Sequence, residues 1–204
     1  MRILLFSPTV RMVGFIVLMF HVPVVFGQAD VKFEVEKSID VSEFPAKAVA
    51  LLQPVLNQSN RMRYYLEITN SDTTYELKTR FLKFGHSVEF DKEGRLLDVE
   101  KEVKFTSIET NTREKINDWL TQTFVRHKIK KVQVQYTVND CQASDAINGF
   151  FKADLGCFDI RYEMVVVTKN EDDEYEMMEL LFENNGTILR QRKIIEKNDS
   201  HVLY

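Results

Sequence analysis

The sequence predicts an α+β fold made of two tandem units, each with one helical segment packed on four antiparallel strands. The stretch Ser87–Val99 alternates apolar and polar residues on both sides of an acidic turn, and Gly94 can adopt the positive φ of a tight hairpin. The same pattern returns 92 residues later at Glu179–Gln191, where Gly186 takes the place of Gly94. The flanking strands recur in the same order, with longer connections in the second copy. We therefore expect the two sheets to be continuous, with helices on one face and an open face opposite.

The first 27 residues have the composition of a signal peptide. Arg2 and Arg11 precede the uncharged run Met12–Phe26, and small residues at Val25 and Gly27 suit cleavage before Gln28. A retained membrane anchor is the alternative, but the run is short for the ~20 residues of a spanning helix. Residues 1–27 are thus predicted to direct export to the periplasm or the extracellular space. No membrane attachment is expected after cleavage.

The charge of the remaining chain argues against a nucleic-acid partner. Cleavage would leave 177 of 204 residues, in which Lys plus Arg falls from 27 to 25 against 31 Asp plus Glu. The resulting net charge of −6 is mild, and both signs are well mixed along the sequence. Nucleic-acid binding is therefore not expected.

The first unit is predicted to span residues 28–105. The alternating segment Asp30–Val41 is typical of an edge strand, and Pro45 is well placed to begin a helix. Alternating apolar residues over 64–68 and 75–81 predict two strands joined by a polar turn. The hairpin completes this unit.

The second unit is predicted to span residues 106–204. Asn111 and Glu114 resemble a capping box, and the helix that they begin is expected to end in the basic run Arg126–Lys131. Apolar alternation then predicts strands over 134–138 and 158–164, before the second hairpin.

This repeated order, with SVEFDKEGRLLDVE at Ser87–Glu100, resembles the PepSY-like family of beta-lactamase-inhibitor-like proteins. The resemblance covers nearly all of the chain after the signal peptide and is strongest over Tyr75–Val103. It implies an exported domain similar in fold to beta-lactamase inhibitory protein, in which tandem helix-and-sheet units form one saddle-shaped body. The shared motif is structural and carries no catalytic residue.

The sequence gives no indication of an enzyme, a metal site or a cofactor. After the signal peptide the histidines are His86, His127 and His201, and none lies at ligand spacing from another His, a Cys or paired carboxylates. No hydrolase, metalloprotease or phosphate-loop motif is present. We therefore predict a non-enzyme, with the alternative of a hydrolase whose residues converge only in three dimensions.

Cys141 and Cys157 are the only cysteines, and export favours a disulfide between them. A reactive thiol pair is the alternative, although the CxxC spacing is missing. The enclosed loop 142–156 contains Phe150 and Phe151. Such a loop either folds back on the body or presents its aromatic side chains to a partner, and the sequence leaves both open.

The predicted open face offers the second candidate surface, with Tyr65, Arg80 and Arg161 among its polar residues. Together with Phe150 and Phe151 these are the candidate partner-binding residues. The predicted function is an exported, non-catalytic module that binds a protein or peptide, as an inhibitor of a secreted hydrolase or as a sensor in the envelope. The alternative is a small-ligand carrier with a cavity between the helices and the sheet.

Overall fold

The computed structural model describes residues 30–56, 60–69, 72–81, 83–169 and 174–196; the predicted signal peptide 1–27 lies outside them. The described chain forms nine strands and three α-helices. In chain order they are β1 (Asp30–Ile39), α1 (Ala46–Leu56), β2 (Asn60–Thr69), β3 (Thr73–Phe81), β4 (Phe84–Asp91), β5 (Leu96–Glu102), α2 (Thr110–Thr123), β6 (Arg126–Val138), α3 (Ala143–Phe151), β7 (Phe158–Lys169), β8 (Tyr175–Glu183) and β9 (Ile188–Glu196). Judged by length and hydropathy, none of these three helices could cross a membrane.

All nine strands form one closed barrel in sequence order. Each strand pairs with the next in antiparallel fashion, and the barrel closes where β1 lies parallel to β9, with Phe33 opposite Ile195. The connections β2–β3, β4–β5, β6–β7 and β8–β9 consequently lie together at one end of the barrel, which we call the hairpin end.

The predicted fold of two units with one open sheet face is wrong. Asp30–Val41 was expected to be an edge strand, but β1 pairs with β2 on one side and with β9 on the other. The two predicted halves do form one continuous sheet, as expected, through β5 and β6, with Glu100 opposite Gln135. Alternation predicts which residues share a face, but it does not show whether the first and last strands meet. The face expected to be open is therefore the interior, or lumen, of the barrel.

The apolar face of the strands lies on the outside of the barrel, where the three helices cover it. Helices α1 and α3 contribute Leu52 and Ile147 to a buried cluster with Phe90 and Val99 of the strands. Helix α2 contributes to a second cluster. Its fully buried members are Ile116, Leu120, Met164, Val166, Leu180 and Phe182. Because both cores lie outside the strands, alternation directs the polar side chains of the same strands into the lumen.

Both predicted hairpins form, and each packs its glycine against the first turns of a helix. Gly94 has φ +73°, and a Cβ on it would lie 3.0 Å from the Cβ of Lys47 in α1. Gly186 has φ +87°, and a Cβ on it would lie 3.0 Å from the Cβ of Lys115 in α2. Side chains at these positions would be strained by the backbone and crowded by the helix. The tandem repeat itself stays a prediction.

Three local predictions differ from the structure. The N-cap of α2 is Glu109, whose carboxylate accepts from the backbone N–H groups of Asn111 and Thr112, and not Asn111 itself. Helix α2 ends at Thr123, and the basic run Arg126–Lys131 begins β6 instead of ending the helix. Its half-buried His127 and Ile129 alternate with exposed Lys128 and Lys130, which is strand periodicity, and Ile129 packs on the second core. The loop 142–156, for which no structure was predicted, contains helix α3.

Candidate functional site

The lumen encloses a charged cavity of about 600 Å³. Nine carboxylates and five cations line it in the described part of the chain, so acids outnumber bases. The carboxylates belong to Glu36, Glu67, Asp72, Glu76, Glu89, Asp98, Glu100, Glu163 and Glu179, and the cations to Lys32, Lys78, Lys131, Arg190 and Arg192. The cavity is thus polar, unlike the apolar pocket of a typical carrier of hydrophobic ligands.

Three of these carboxylates form a row across adjacent strands, which we call the acidic row. Glu76 of β3 lies opposite Glu89 of β4, and Glu89 lies opposite Asp98 of β5. Like charges in directly opposed positions destabilise a sheet. Lys78 Nζ, 3.1 Å from Glu76 Oε2, offsets part of this repulsion at one end of the row.

Asp98, at the end of the acidic row, has only one of its two side-chain oxygens hydrogen-bonded within the described part of the chain. The side-chain amide of Gln135 donates to its Oδ2 over 3.0 Å, whereas its Oδ1 accepts no hydrogen bond from the described residues. Thr74 Oγ1, which also lines the cavity, likewise has no partner among them. Both residues are only 8% exposed. Burial raises the pKa of Asp98 well above its usual value, and the charges of Glu89 and Glu163 raise it further.

Glu100 and Glu163 extend the negative region toward β7. Glu100 accepts hydrogen bonds from the Ser87 hydroxyl at 3.1 Å and from the Gln133 amide. Burial, followed by the charges of Glu163 and Asp98, raises the pKa of Glu100 well above its usual value. Burial and the charge of Glu179 raise the pKa of Glu163 to about 7. A carboxyl group in this state is half protonated at neutral pH.

The opposite wall is organised around Glu179, which is 3% exposed. Its Oε2 accepts from Lys32 Nζ at 2.9 Å, and its Oε1 accepts from Arg192 Nε at 3.0 Å, with Arg190 Nη2 at 3.6 Å. Burial opposes ionisation here, but Lys32 and Arg192 outweigh it and lower the pKa of Glu179. Glu179 is therefore a fully engaged anion that holds three cations in the lumen.

The carboxylates thus cluster on the β3–β5 wall and at β7, where Lys78 and Lys131 also lie, whereas Lys32, Arg190 and Arg192 surround Glu179 on the opposite wall. Exposed lining residues, including Asp72, Leu97 and Arg190, lie close to the turns of the hairpin end, so solvent reaches the cavity there. In the described ranges no group of three or more His, Cys, Asp or Glu side chains is placed to hold a metal ion. The arrangement suits a polar, positively charged ligand on the acidic wall.

A second, smaller pocket of about 150 Å³ lies between α3 and the sheet. Its wall includes His86, Phe81 and Phe151, and Phe84 at its edge is 45% exposed. Burial lowers the pKa of His86 to about 4, although its ring Nδ1 lies 3.1 Å from the carbonyl oxygen of Phe84, which acts in the opposite direction. His86 is therefore a neutral packing residue at pH 7. A small-ligand carrier with a cavity between the helices and the sheet was the alternative prediction, and this pocket lies at that place. The cavity in the lumen is larger.

The predicted disulfide between Cys141 and Cys157 is present, with Cα atoms 5.5 Å apart. It closes the segment that carries α3, which folds back on the body. Phe150 is 9% exposed and packs edge-on against Tyr136, with ring centroids 5.0 Å apart. Phe151 is half buried against Phe81. As candidate partner-binding residues, the two phenylalanines thus lie mainly in the outer core.

The other candidate residues lie on the luminal face of their strands but do not line the cavity. Tyr65 is half buried beneath Lys78 Nζ, which lies 4.7 Å from its ring centroid. Arg80 is exposed, and Arg161 lies opposite Gln135. Whether any of them contacts a partner stays a prediction.

Neither Asp98 nor Thr74 was among the residues predicted from the sequence to bind a partner. The signal available was an excess of carboxylates at alternate positions of neighbouring strands, notably Glu76, Glu89 and Asp98. On an open face these would be solvated and unremarkable, and only closure of the barrel buries them.

Comparison with models of known protein families gives no match, and none of the curated proteins matches the sequence. Several solved structures are distantly similar. A DUF2874 family protein from Bacteroides ovatus is 11% identical, with a TM-score of 0.47, over 73% of this chain and 86% of its own. A BLIP-like protein from Bacteroides fragilis is 14% identical, with a TM-score of 0.46, over 77% and 92%.

A third neighbour, named as a predicted periplasmic protein from Bacteroides eggerthii, is 13% identical, with a TM-score of 0.48, over 78% of this chain and 98% of its own. Identities and TM-scores this low are too weak to transfer a ligand or an activity to this chain. A PepSY-like relationship stays a prediction. The function is therefore inferred from the lumen itself.

Proposed function

We propose that this chain is an exported, non-catalytic binding protein whose ligand site is the lumen of its barrel. The observation that carries the proposal is the cavity of about 600 Å³, which has a size suited to small ligands and is lined by buried polar groups. A sheet that served only as scaffold would gain stability from apolar side chains at these positions. Charged side chains at these positions lower the stability of the fold, and binding of a ligand to them explains why they are present.

The lumen lacks a convincing catalytic set among the residues described. Its lining contains neither His nor Cys, the usual general base and nucleophile at neutral pH. Two carboxyl groups with separated pKa values can cleave glycosides, and Glu163 and Glu179 differ in this way. Both oxygens of Glu179, however, accept from Lys32 and Arg192 and are not available for attack. Glycoside turnover abolished by Glu163→Gln would contradict the proposal.

A protein or peptide partner bound on the outer surface is the second candidate, which Phe84 favours. This exposed ring lies beside the pocket of Phe81 and Phe151, and aromatic side chains are enriched where proteins bind one another. In this role the chain would inhibit a secreted hydrolase or sense a protein in the envelope.

A ligand screen by thermal unfolding tests the lumen site directly. Val165 lines the cavity, so Val165→Trp fills part of it, whereas Val125→Trp places the same ring at a position that is 65% exposed. Compounds that raise the melting temperature of the wild type should do so for Val125→Trp and fail for Val165→Trp. If the compounds stabilise both variants equally, the lumen is not the site. If only peptides bind and Phe84→Ala abolishes their binding, the outer surface is the site.

A further inference from the structure

Two buried polar atoms point separately to a ligand in the lumen. Oδ1 of Asp98 and Oγ1 of Thr74 both belong to residues that line the cavity, and neither has a hydrogen-bond partner in the described chain. Buried polar atoms in folded proteins are nearly always hydrogen-bonded, to protein, to water or to a ligand. Thr74 is uncharged, so its requirement for a partner is distinct from the repulsion within the acidic row.

The electrostatics of this wall favour a further positive charge, because Lys131 offsets only part of the repulsion at Glu100 and Glu163. The acidic row, Glu100 and Glu163 lie close enough that each of the three carboxyl groups Asp98, Glu100 and Glu163 has a pKa raised by burial and then by neighbouring carboxylates. A cation placed among them would offset both effects and let the groups ionise. Such a cation gains attraction in a poorly solvated site, where charges interact more strongly than in water.

The shape of the site favours an elongated organic cation over a metal ion. No group of three potential ligands converges in the described residues. Thr74 lies two residues from Glu76 along β3, and Asp98 lies two strands from Glu76 across the sheet. Strand spacing and rise place Thr74 and Asp98 on the order of 10 Å apart. A single small cation could contact one of these residues but not both.

We propose that the lumen binds a linear aliphatic polyamine, with one ammonium group on the carboxylate of Asp98 and a second donating to the hydroxyl of Thr74. Oδ1 of Asp98 and Oγ1 of Thr74 have almost no accessible surface in the free protein, so both side chains rotate toward the cavity when the ligand binds. The inference rests on the proposed function of the lumen as a ligand site. Each ammonium group supplies several N–H donors, which match carboxylate and hydroxyl acceptors. The three cations held by Glu179 repel the ligand from the opposite wall and direct it to the acidic row.

A lysine side chain of a protein partner carries the same ammonium chemistry. It has one charge at the end of its chain and would have to enter from the hairpin end, so it could satisfy Asp98 or Thr74 but not both. A free polyamine can satisfy both, and it is therefore the source that we propose.

Isothermal titration calorimetry of the purified protein at pH 8 and low salt tests this inference with spermidine as the probe. We expect one spermidine per chain, and no comparable binding of Mg²⁺ or of the uncharged 1,8-octanediol. Asp98→Asn and Thr74→Val should each weaken binding at least ten-fold. Asp118→Asn, the same acid-to-amide change at an exposed position of α2, should leave binding unchanged. Thr74→Val is nearly isosteric and removes a buried unpaired hydroxyl, so it should remain folded.

Four results would overturn the inference. Mg²⁺ binding as tightly as spermidine would indicate unspecific attraction to acidic residues. Tetralysine binding more tightly than spermidine would point to a protein as the source of the ammonium group. Spermidine binding that is unaffected by Thr74→Val would exclude the two-ended pose. If spermidine fails to bind while another compound stabilises the wild type but not Val165→Trp, the polyamine inference fails and the proposed function stands.

Discussion

The side-chain amide of Gln135 donates to one oxygen of Asp98 over 3.0 Å, and the other oxygen of that carboxyl accepts nothing from the described chain. A buried carboxyl group that is only half satisfied costs stability. Asp98 also lies opposite Glu89, a like charge on the neighbouring strand. Folding alone therefore does not account for its presence, which supports the proposed role of the lumen in binding.

We predict that Asp98→Asn stabilises the folded protein by about 1 kcal/mol at pH 8. The amide keeps the shape of the side chain and can still accept from Gln135, while the repulsion from Glu89 and Glu163 disappears. Urea unfolding measures the change, with Asp118→Asn as the matched control, for which we expect a change within about 0.5 kcal/mol. A loss of more than 1 kcal/mol in Asp98→Asn would show that the carboxylate supports the fold.

Glu163 makes the stability depend on pH between about 4.5 and 7. Its pKa rises from the usual 4.5 to about 7 on folding, so the folded state keeps a proton that the unfolded state releases. The stabilising contribution of the protonated group is full below pH 4.5 and is lost as the pH rises through 7. The charges that act on it come from several strands and are those of Glu179, Lys32, Lys131 and Arg190.

Glu163→Gln should remove this dependence. Its free energy of unfolding, minus that of the wild type, should increase between pH 4.5 and 7 by up to about 3 kcal/mol. Burial lowers the pKa of His86 to about 4 on folding, so His86 contributes stability that is lost as the pH falls through the same range. The contribution of His86 to the free energy of unfolding is present in both proteins, so it cancels when the wild-type value is subtracted from that of the variant. A difference that stays constant with pH would mean that Glu163 is ionised in the folded protein.

The sequence predicted for most positions which residues share a face of a strand, but it did not predict that the strands close into a barrel. Alternation predicts Phe90 and Val99 on the apolar face and Glu89 on the polar face, as observed. It also predicts Leu97 on the face of Val99, which is wrong, because a bulge in β5 places Leu97 in the lumen beside Asp98. Closure depends on pairing between β1 and β9, which are far apart in sequence. No turn connects β1 to β9, so the local sequence contains no signal of their parallel pairing.

The candidate site was missed for the same reason. Glu76, Glu89 and Asp98 read as solvated residues of an open sheet, and a polar face carries no sign of burial until the barrel is closed. Helix α3 was missed because Cys141 and Cys157 marked the segment as a loop, although Ala146, Ile147 and Phe150 have helical spacing.

The two hairpin glycines should be equally sensitive to substitution. Gly94→Ala and Gly186→Ala each add a Cβ at positive φ and 3.0 Å from a helix residue, which should lower the free energy of unfolding by about 1–2 kcal/mol. Gly156→Ala is the control, because its nearest contact would be 3.5 Å away at a side-chain oxygen of Asp154. Urea unfolding measures all three. Strong loss at only one hairpin would argue against equivalent roles for the two.

The disulfide should matter more for folding than for binding in the lumen. Replacing Cys141 and Cys157 by serine should lower the free energy of unfolding by about 3 kcal/mol, because the bond closes the segment whose helix contributes Ile147 and Phe150 to the outer core. Thermal unfolding with and without a reducing agent, beside Ser144→Ala as control, measures this loss. A double serine variant of unchanged stability would mean that α3 is held by packing alone.

The lumen exists only if the barrel is closed, because an open sheet has no interior. Phe33 and Ile195 lie opposite each other in the parallel pair β1–β9 and are both exposed, so cysteines at both positions should form a disulfide on mild oxidation. Mass spectrometry of proteolytic peptides detects the cross-link, with Phe33→Cys combined with Val125→Cys as the control pair. Closure predicts rapid, nearly complete cross-linking of the first pair and none of the second. If the first pair cross-links no better than the control, β1 does not pair with β9 and the protein has no closed lumen.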